Sequence, residues 1–289
     1  MNDIPLKYME AVRCYQVVDF EGIKLHPIKV RDYRDFQNAR PAIDFLQQSL
    51  PVRYLSIPLL SAYYLMDYDA MENGEQSPGL FARTLQFLAL SLDYEPDLPM
   101  QERVGGLARG IYVSTDDRSK LTAVAFQQDG EEKKITPALF QRMRPVLAAQ
   151  NGVELESEDA NPELVEAERD LAALRNEGVD FDIRHLISSV SAISGTDESE
   201  MMDWPVLKLM NRADAFERML SYLVCGFGAM SGAQFKGGNP VPSPFYPKTK
   251  KGSDALISMN RFTNGNPVQV SQSGAPTIPT GDFSSGLSQ

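Results

Sequence analysis

Histidine, cysteine and clustered carboxylates are the side chains that most often do chemistry, and this chain of 289 residues brings few of them together. Its two histidines, His26 in "GIKLHPIKV" and His185 in "DIRHLISS", belong to no nucleophile–base motif, so the ordinary reading is a surface or capped imidazole. Cys14 and Cys225 lie far apart and outside any C-x-x-C or metal-ligand spacing, which predicts free thiols in a reducing compartment. G-x-S-x-G and H-E-x-x-H do not occur. The glycine pairs of "RVGGLARG" and "FKGGNP" lack both the Lys-Ser/Thr of a phosphate loop and the third glycine of a dinucleotide fingerprint, so they read as turns. The acidic stretch "ELESEDANPELVEAERD" has neither the order of a calcium loop nor its central glycine, and reads as a solvated loop and helix start. No catalytic residue, metal ligand or cofactor-binding residue is therefore assigned, and the expectation is a protein that is not an enzyme.

The remaining candidates suit binding. Trp204, the single tryptophan, sits at a helix start after Asp203, a possible cap, and Met201, Met202, Met210, Met219 and Met230 gather around it. Core packing is the default for such residues, yet Trp is enriched at binding hot spots and Met on surfaces that accept varied apolar partners. Phe245 and Tyr246 lie between Pro242, Pro244 and Pro247, which hold that segment out of helix and leave the two rings as apolar handles. Trp204, Met210, Phe245 and Tyr246 are thus the candidate partner-binding residues.

Composition narrows the partner class. A net charge of -11 repels phosphate backbones and anionic lipid, and the short clusters Lys248, Lys250, Lys251 and Lys133, Lys134 do not form a segregated basic patch, so no nucleic acid is expected. The longest apolar stretch, "MLSYLVCGFGAM", is shorter than the roughly 18 residues of a membrane span, and the acids and proline of "MNDIPLKYME" do not resemble a secretory signal. Those features predict a cytoplasmic protein with no membrane association, while a homo-oligomer stays open.

The elements that must position these residues follow from periodicity and punctuation. "CYQVVDFEGIKLHPIKV" predicts a hairpin, about 14–30, with strands over Tyr15–Asp19 and Ile23–Val30, Glu21-Gly22 as the turn and Pro27 marking an edge or bulge. Helical spacing follows on both sides of Pro41, then through the apolar run Tyr54–Met66, then from a start at Ser77-Pro78 to Leu92. Between Arg109 and Ile135 three short β-prone runs predict a small meander turning at Asp129-Gly130, too small to stand alone. Further helices are expected after Thr136-Pro137 up to Asn151-Gly152, from Asn161 to Gly178, over "DFDIRHLISSVSAISG", and over the long segment "DWPVLKLMNRADAFERMLSYLVCGFGAMSG", amphipathic in its first half and apolar in its second. The expected fold is mainly α (α+β): a helical globular domain, 1–232, with an N-terminal hairpin and a β insertion, followed by a Pro/Gly/Ser-rich flexible tail, 233–289.

The order of "GIKLHPIKVRDYRDF", "QQSLPVRYLSIPLLSAYYLMD", "NPELVEAERDLA", "ISSVSAIS", "MDWPVLKLM" and "MSGAQFKGGNPVPSPF", spanning Gly22 to Tyr246, resembles the tail assembly chaperones encoded by phages and prophages of Gram-positive bacteria. The resemblance implies a non-enzymatic role in the host cytoplasm: keeping the phage tape measure protein soluble and recruiting tail-tube protein subunits. It carries over no site residue, because the family has no catalytic motif. The chain departs from the shorter members in its length and in the β insertion. A structural virion component of tail, baseplate or head completion is the alternative.

Overall fold

The computed structural model describes residues 4–92, 111–116, 120–155 and 182–231, together with the single positions 163, 167, 243 and 244. The fold is mainly helical with two small antiparallel sheets. The expected helix from Asn161 to Gly178 and the tail from 233 onward, bar those single positions, lie outside the described residues.

Helix α1, Leu6–Arg13, opens the described chain after Pro5, and the sequence pattern had not suggested it. Its Tyr8 and Val12, one turn apart, are its buried face. A hairpin follows, β1 at Val18–Phe20 and β2 at Ile23–Leu25, with Phe20 paired to Ile23 across Glu21-Gly22. Both turn residues have positive φ, 53° and 83°, as a two-residue primed turn requires. The Asp19 carboxylate accepts the Gly22 N–H at 2.8 Å. The strands are shorter than Tyr15–Asp19 and Ile23–Val30. Tyr15 is spent closing α1 in a left-handed conformation, and beyond Leu25 the backbone turns to other partners around Pro27, which has no N–H to donate.

Those partners make residues 26–31 a junction. The His26 N–H donates to the Ser91 carbonyl at 2.6 Å, and the Ile28 N–H donates to Asn151 Oδ1 at 2.8 Å. The Ile28 carbonyl accepts from the Val206 N–H at 2.9 Å, and the Val30 N–H donates to the Trp204 carbonyl at 2.9 Å. Three helices are thereby tied to one segment, extended as far as Lys29 and then entering a 3-10 turn, Val30–Asp32.

Helix α2, Tyr33–Ala39, ends in a 3-10 turn, Arg40–Ala42, and not in the second α-helix expected after Pro41. The carbonyls of Ile43 and Phe45, which such a helix would use internally, instead accept from the Arg144 guanidinium. Helix α3, Leu59–Glu72, starts after Pro58, later than the apolar run from Tyr54. Tyr63 on α3 is buried and donates its hydroxyl to the Ala42 carbonyl at 2.9 Å. Burial pushes its phenol well above the ordinary value, so it remains a neutral donor.

Helix α4, Leu80–Ser91, begins after Gly79 and not at Ser77. Its start is held from outside: one Asp67 carboxylate oxygen accepts from Ser77 Oγ (2.8 Å) and the Gly79 N–H (3.0 Å), the other from the Phe81 N–H (3.0 Å). A side chain of α3 thus does what a local cap would do.

The meander is β3 Ile111–Thr115, β4 Leu121–Gln128 and β5 Glu131–Ile135, in that order, turning at Asp129-Gly130, both at positive φ. Gln128 joins it to the hairpin, since its side-chain amide exchanges two hydrogen bonds with the Lys24 backbone, 2.8 and 3.0 Å. Val124, Phe126 and Ile135 are fully buried in the main core.

Helix α5, Pro137–Gln150, is capped by Thr136, whose Oγ1 accepts from the Leu139 N–H. Its last residues reach the junction. Gln150, 1% exposed, donates to the carbonyls of Gln16 and Leu25 at 3.0 Å each, while Asn151, 3% exposed, accepts from Ile28 and donates to the Leu147 carbonyl. Gly152 follows at φ 71°, and a Cβ there would lie 3.0 Å from Leu207 Cδ1. Glycine is needed at this point both for the left-handed turn and for the approach of Leu207, which lies in the later helix Val206–Met230. Replacing Asn151 by Ala leaves the Ile28 N–H buried and unpaired, so unfolding stability should fall by about 1–3 kcal/mol. For a domain of this size that is a loss of roughly 2–4 °C in Tm per kcal/mol, and calorimetry showing an unchanged Tm would contradict the role given to Asn151.

Candidate functional site

The second buried cluster lies at the other side of the junction. Helix α6, Ile183–Ser194, is capped by Asp182, which accepts from the Arg184 N–H at 2.9 Å, and stops at Gly195 with φ 69°. A one-turn helix, α7 at Glu198–Met201, is capped in the same way by Asp197 on Ser199. Helix α8, Val206–Met230, then starts behind Pro205, which forms a bridge with Lys29. Asp203, expected as the cap of α8, forms an ion pair with Arg31 instead, and α8 has no side-chain cap. The junction strand has taken that carboxylate, and Pro205 removes one donor that a cap would satisfy.

Trp204 is 9% exposed and packs with Val30, Ile187, Val190, Met201 and Leu209. The Lys208 ammonium sits 4.0 Å above its ring centroid, covering the open face. Trp204 is therefore placed as a plug between α6, α8 and the junction. Met201 is fully buried beside it. Met210 is half-buried and faces a groove. Phe245 and Tyr246 lie outside the described residues, so they are not placed relative to Trp204 or Met210.

The groove runs between α6 and α8. It has a volume of about 650 Å³ and apolar walls: Leu186, Val190 and Ile193 from α6, and Ala213, Phe216, Leu220 and Val224 from α8, with Asp214 and Glu217 among its few charged residues. Beyond it, the distal half of α8 is apolar and open to solvent. Leu220 is 55% exposed, Leu223 47%, Val224 70%, Phe227 65% and Met230 83%. Sequence reasoning saw this stretch as apolar without placing it at a site. The missed signal is spacing: Val206, Leu209, Ala213, Phe216, Leu220, Leu223, Phe227 and Met230 succeed one another by alternating steps of three and four. That is the seam of a coiled coil, whose first two members are buried in the chain's own core while its last four are uncovered.

Among the described residues nothing comparable assembles around the titratable side chains. His185 is an exposed residue of α6 whose Nε2 lies 4.0 Å from the Asp182 carboxylate, and His26 contributes its backbone to the junction. Among the described residues no group of three His, Cys, Asp or Glu side chains is arranged to hold a metal, and no helix is long and apolar enough to cross a membrane. Hydrogen bonds from Arg184 hold the Asp182 carboxyl below its usual range, and those from Ser199 do the same for Asp197. No family model matches the chain, and neither curated proteins nor solved structures match it.

Two predictions follow from the α6–α8 corner. Emission from Trp204 should be blue-shifted and weakly quenched by acrylamide in the folded protein; a solvent-like spectrum would contradict its burial. The caps at Asp182 and Asp197 have depressed folded pKa values, so their stabilisation is complete above the unfolded aspartate value of about 3.9 and is lost as pH falls through the lower folded values. Thermal melts followed by helical circular dichroism should therefore shift downward as pH falls through that acid window, and less so in Asp182→Asn and Asp197→Asn variants.

Proposed function

We propose that this chain is a non-enzymatic assembly protein that holds an apolar-faced helix of a partner along the α6–α8 groove and the distal half of α8. The observation that carries this reading is the continuous apolar surface from Leu186 and Ile193 across Leu220 and Val224 to Phe227 and Met230. Helix-in-groove recognition needs such a surface, with anchors entering at i, i+3, i+4 and i+7. An exposed apolar area of this continuity on a soluble protein marks an interaction site. The net charge of -11 supports the same role, because mutual repulsion keeps molecules with an open apolar face apart.

In the setting implied by the sequence resemblance, the partner is a phage tape measure protein and the chain a tail assembly chaperone, with the segment after Gly232 recruiting tail-tube subunits. The resemblance implies a long, aggregation-prone tape measure protein as client, and a groove of this kind would cover one of its apolar segments at a time.

Co-expression with fragments of a tape measure protein, followed by pull-down, tests the reading. Burying one such side chain contributes about 1.5–3 kcal/mol, so Leu220→Asp or Val224→Asp should weaken capture at least about tenfold without lowering Tm. Equal capture by wild type and both variants would count against the groove as the docking site. Removing 232–289 should abolish capture of tube protein while tape measure capture persists. Purified particles should lack the chain; finding it there in fixed copy number would favour a structural virion component.

A further inference from the structure

The proximal part of the α8 seam, through the half-buried Ala213 and Phe216, packs on the chain's own core, and the part from Leu220 to Met230 does not. We propose that this distal half is covered by the same half-helix of a second copy of the chain, laid antiparallel, so that two α6–α8 hairpins meet along their distal ends. The pairing itself does not depend on the partner reading above. One consequence does rest on it: the second copy and a client helix use one face, so the dimer is the resting form that a client displaces.

Four observations select a second copy in this orientation. In the antiparallel register that alternates the two seam positions, Leu220 faces the partner's Leu223, Phe227 faces the partner's Phe216, and Met230 faces the partner's Ala213. Large side chains then meet small ones at the ends and like sizes at the centre, as interdigitating layers require. From Met219 to Ser231 there is no charged residue, so self-pairing sets no like charges against each other. The folded body covers the Val206 and Leu209 end of the same seam, so a parallel pair would bring two acidic bodies into collision on the axis, whereas the antiparallel pair puts them at opposite ends. The exposed seam and its flanks Met219 and Val224 offer on the order of 700 Å² of apolar surface, close to the about 800 Å² per partner of a standard interface.

The stability of α8 points the same way. Gly226 and Gly228 each weaken an exposed helix by about 1 kcal/mol relative to Ala, so three turns of helix here need packing to persist. A Cβ on Gly226 would meet nothing within 4 Å in the single chain.

Light scattering and sedimentation of the full chain, without any partner, test the proposal. The expected mass is about twice 32.1 kDa. Leu223→Glu and Phe227→Glu, both at exposed positions, should raise the dimer dissociation constant by more than about tenfold while Trp204 emission stays as in wild type and helical circular dichroism loses at most the distal turns of α8. Orientation is read from a spin label at Ala229→Cys, with Cys14 and Cys225 replaced by Ser. An antiparallel pair places the two labels roughly 20–25 Å apart along the axis, from a rise of about 1.5 Å per residue; a parallel pair brings them to about 10 Å. A monomer at all concentrations overturns the proposal and directs attention to residues 232–289 as the cover. So does a dimer that survives both Glu variants, or one with the short label distance. Dimerisation is read on the wild-type chain without a client, and client capture by pull-down at any oligomeric state, so the two readings fail separately.

Discussion

The backbone of residues 26–31 is the constraint on which the rest of the structure depends. Pro27 removes one donor from this segment, and the remaining polar groups are used in several directions: toward the end of α4 through Ser91, toward the end of α5 through Asn151, and toward the start of α8 through Trp204 and Val206. Buried N–H and carbonyl groups must be paired, and apart from the local turn that closes on the Lys29 and Val30 carbonyls the pairing here is tertiary. The amide side chains of Gln150 and Asn151 are the most heavily used members, because each makes two hydrogen bonds from a nearly fully buried position. Losing one of them strands a backbone group where water cannot replace it.

That junction also explains why the apolar half of α8 is open. The segment grips α8 only at its first residues, through the bridge at Pro205, the Val206 N–H and the plug made by Trp204. Helix α6 flanks the middle of α8, and its own stop at Gly195 limits how much it can cover. A helix of 25 residues is about 37 Å long at a rise of ~1.5 Å per residue, which exceeds the span that these contacts enclose. The uncovered seam is therefore a consequence of anchoring a long helix by one end.

Much of the local structure was legible because it rests on chemistry within a few residues. Glu21-Gly22 and Asp129-Gly130 are turns since glycine accepts positive φ, and Thr136 and Asn151-Gly152 sit at the two ends of α5 as their side chains or backbones demand. What escaped was supplied from a distance. The start of α4 is held by Asp67 of another helix, the expected helix after Pro41 lost its carbonyls to Arg144, and Asp203 left its cap position for Arg31. Helix α1 carries its signal in two residues, Tyr8 and Val12, whose partners lie elsewhere in the core.

The candidate site divides along the same line. The spacing of three and four from Val206 to Met230 is a property of the sequence by itself, as are the absence of charge from Met219 to Ser231 and the acidic balance of the chain, because periodicity and composition do not depend on what packs where. Burial does depend on it. Trp204 and Leu209 carry the same apolar character as Leu223 and Phe227, and only the tertiary structure sorts them, since the junction strand and α6 reach the first pair and not the second. One continuous stripe thus becomes core at one end and docking surface at the other, decided by how far along α8 the folded body extends.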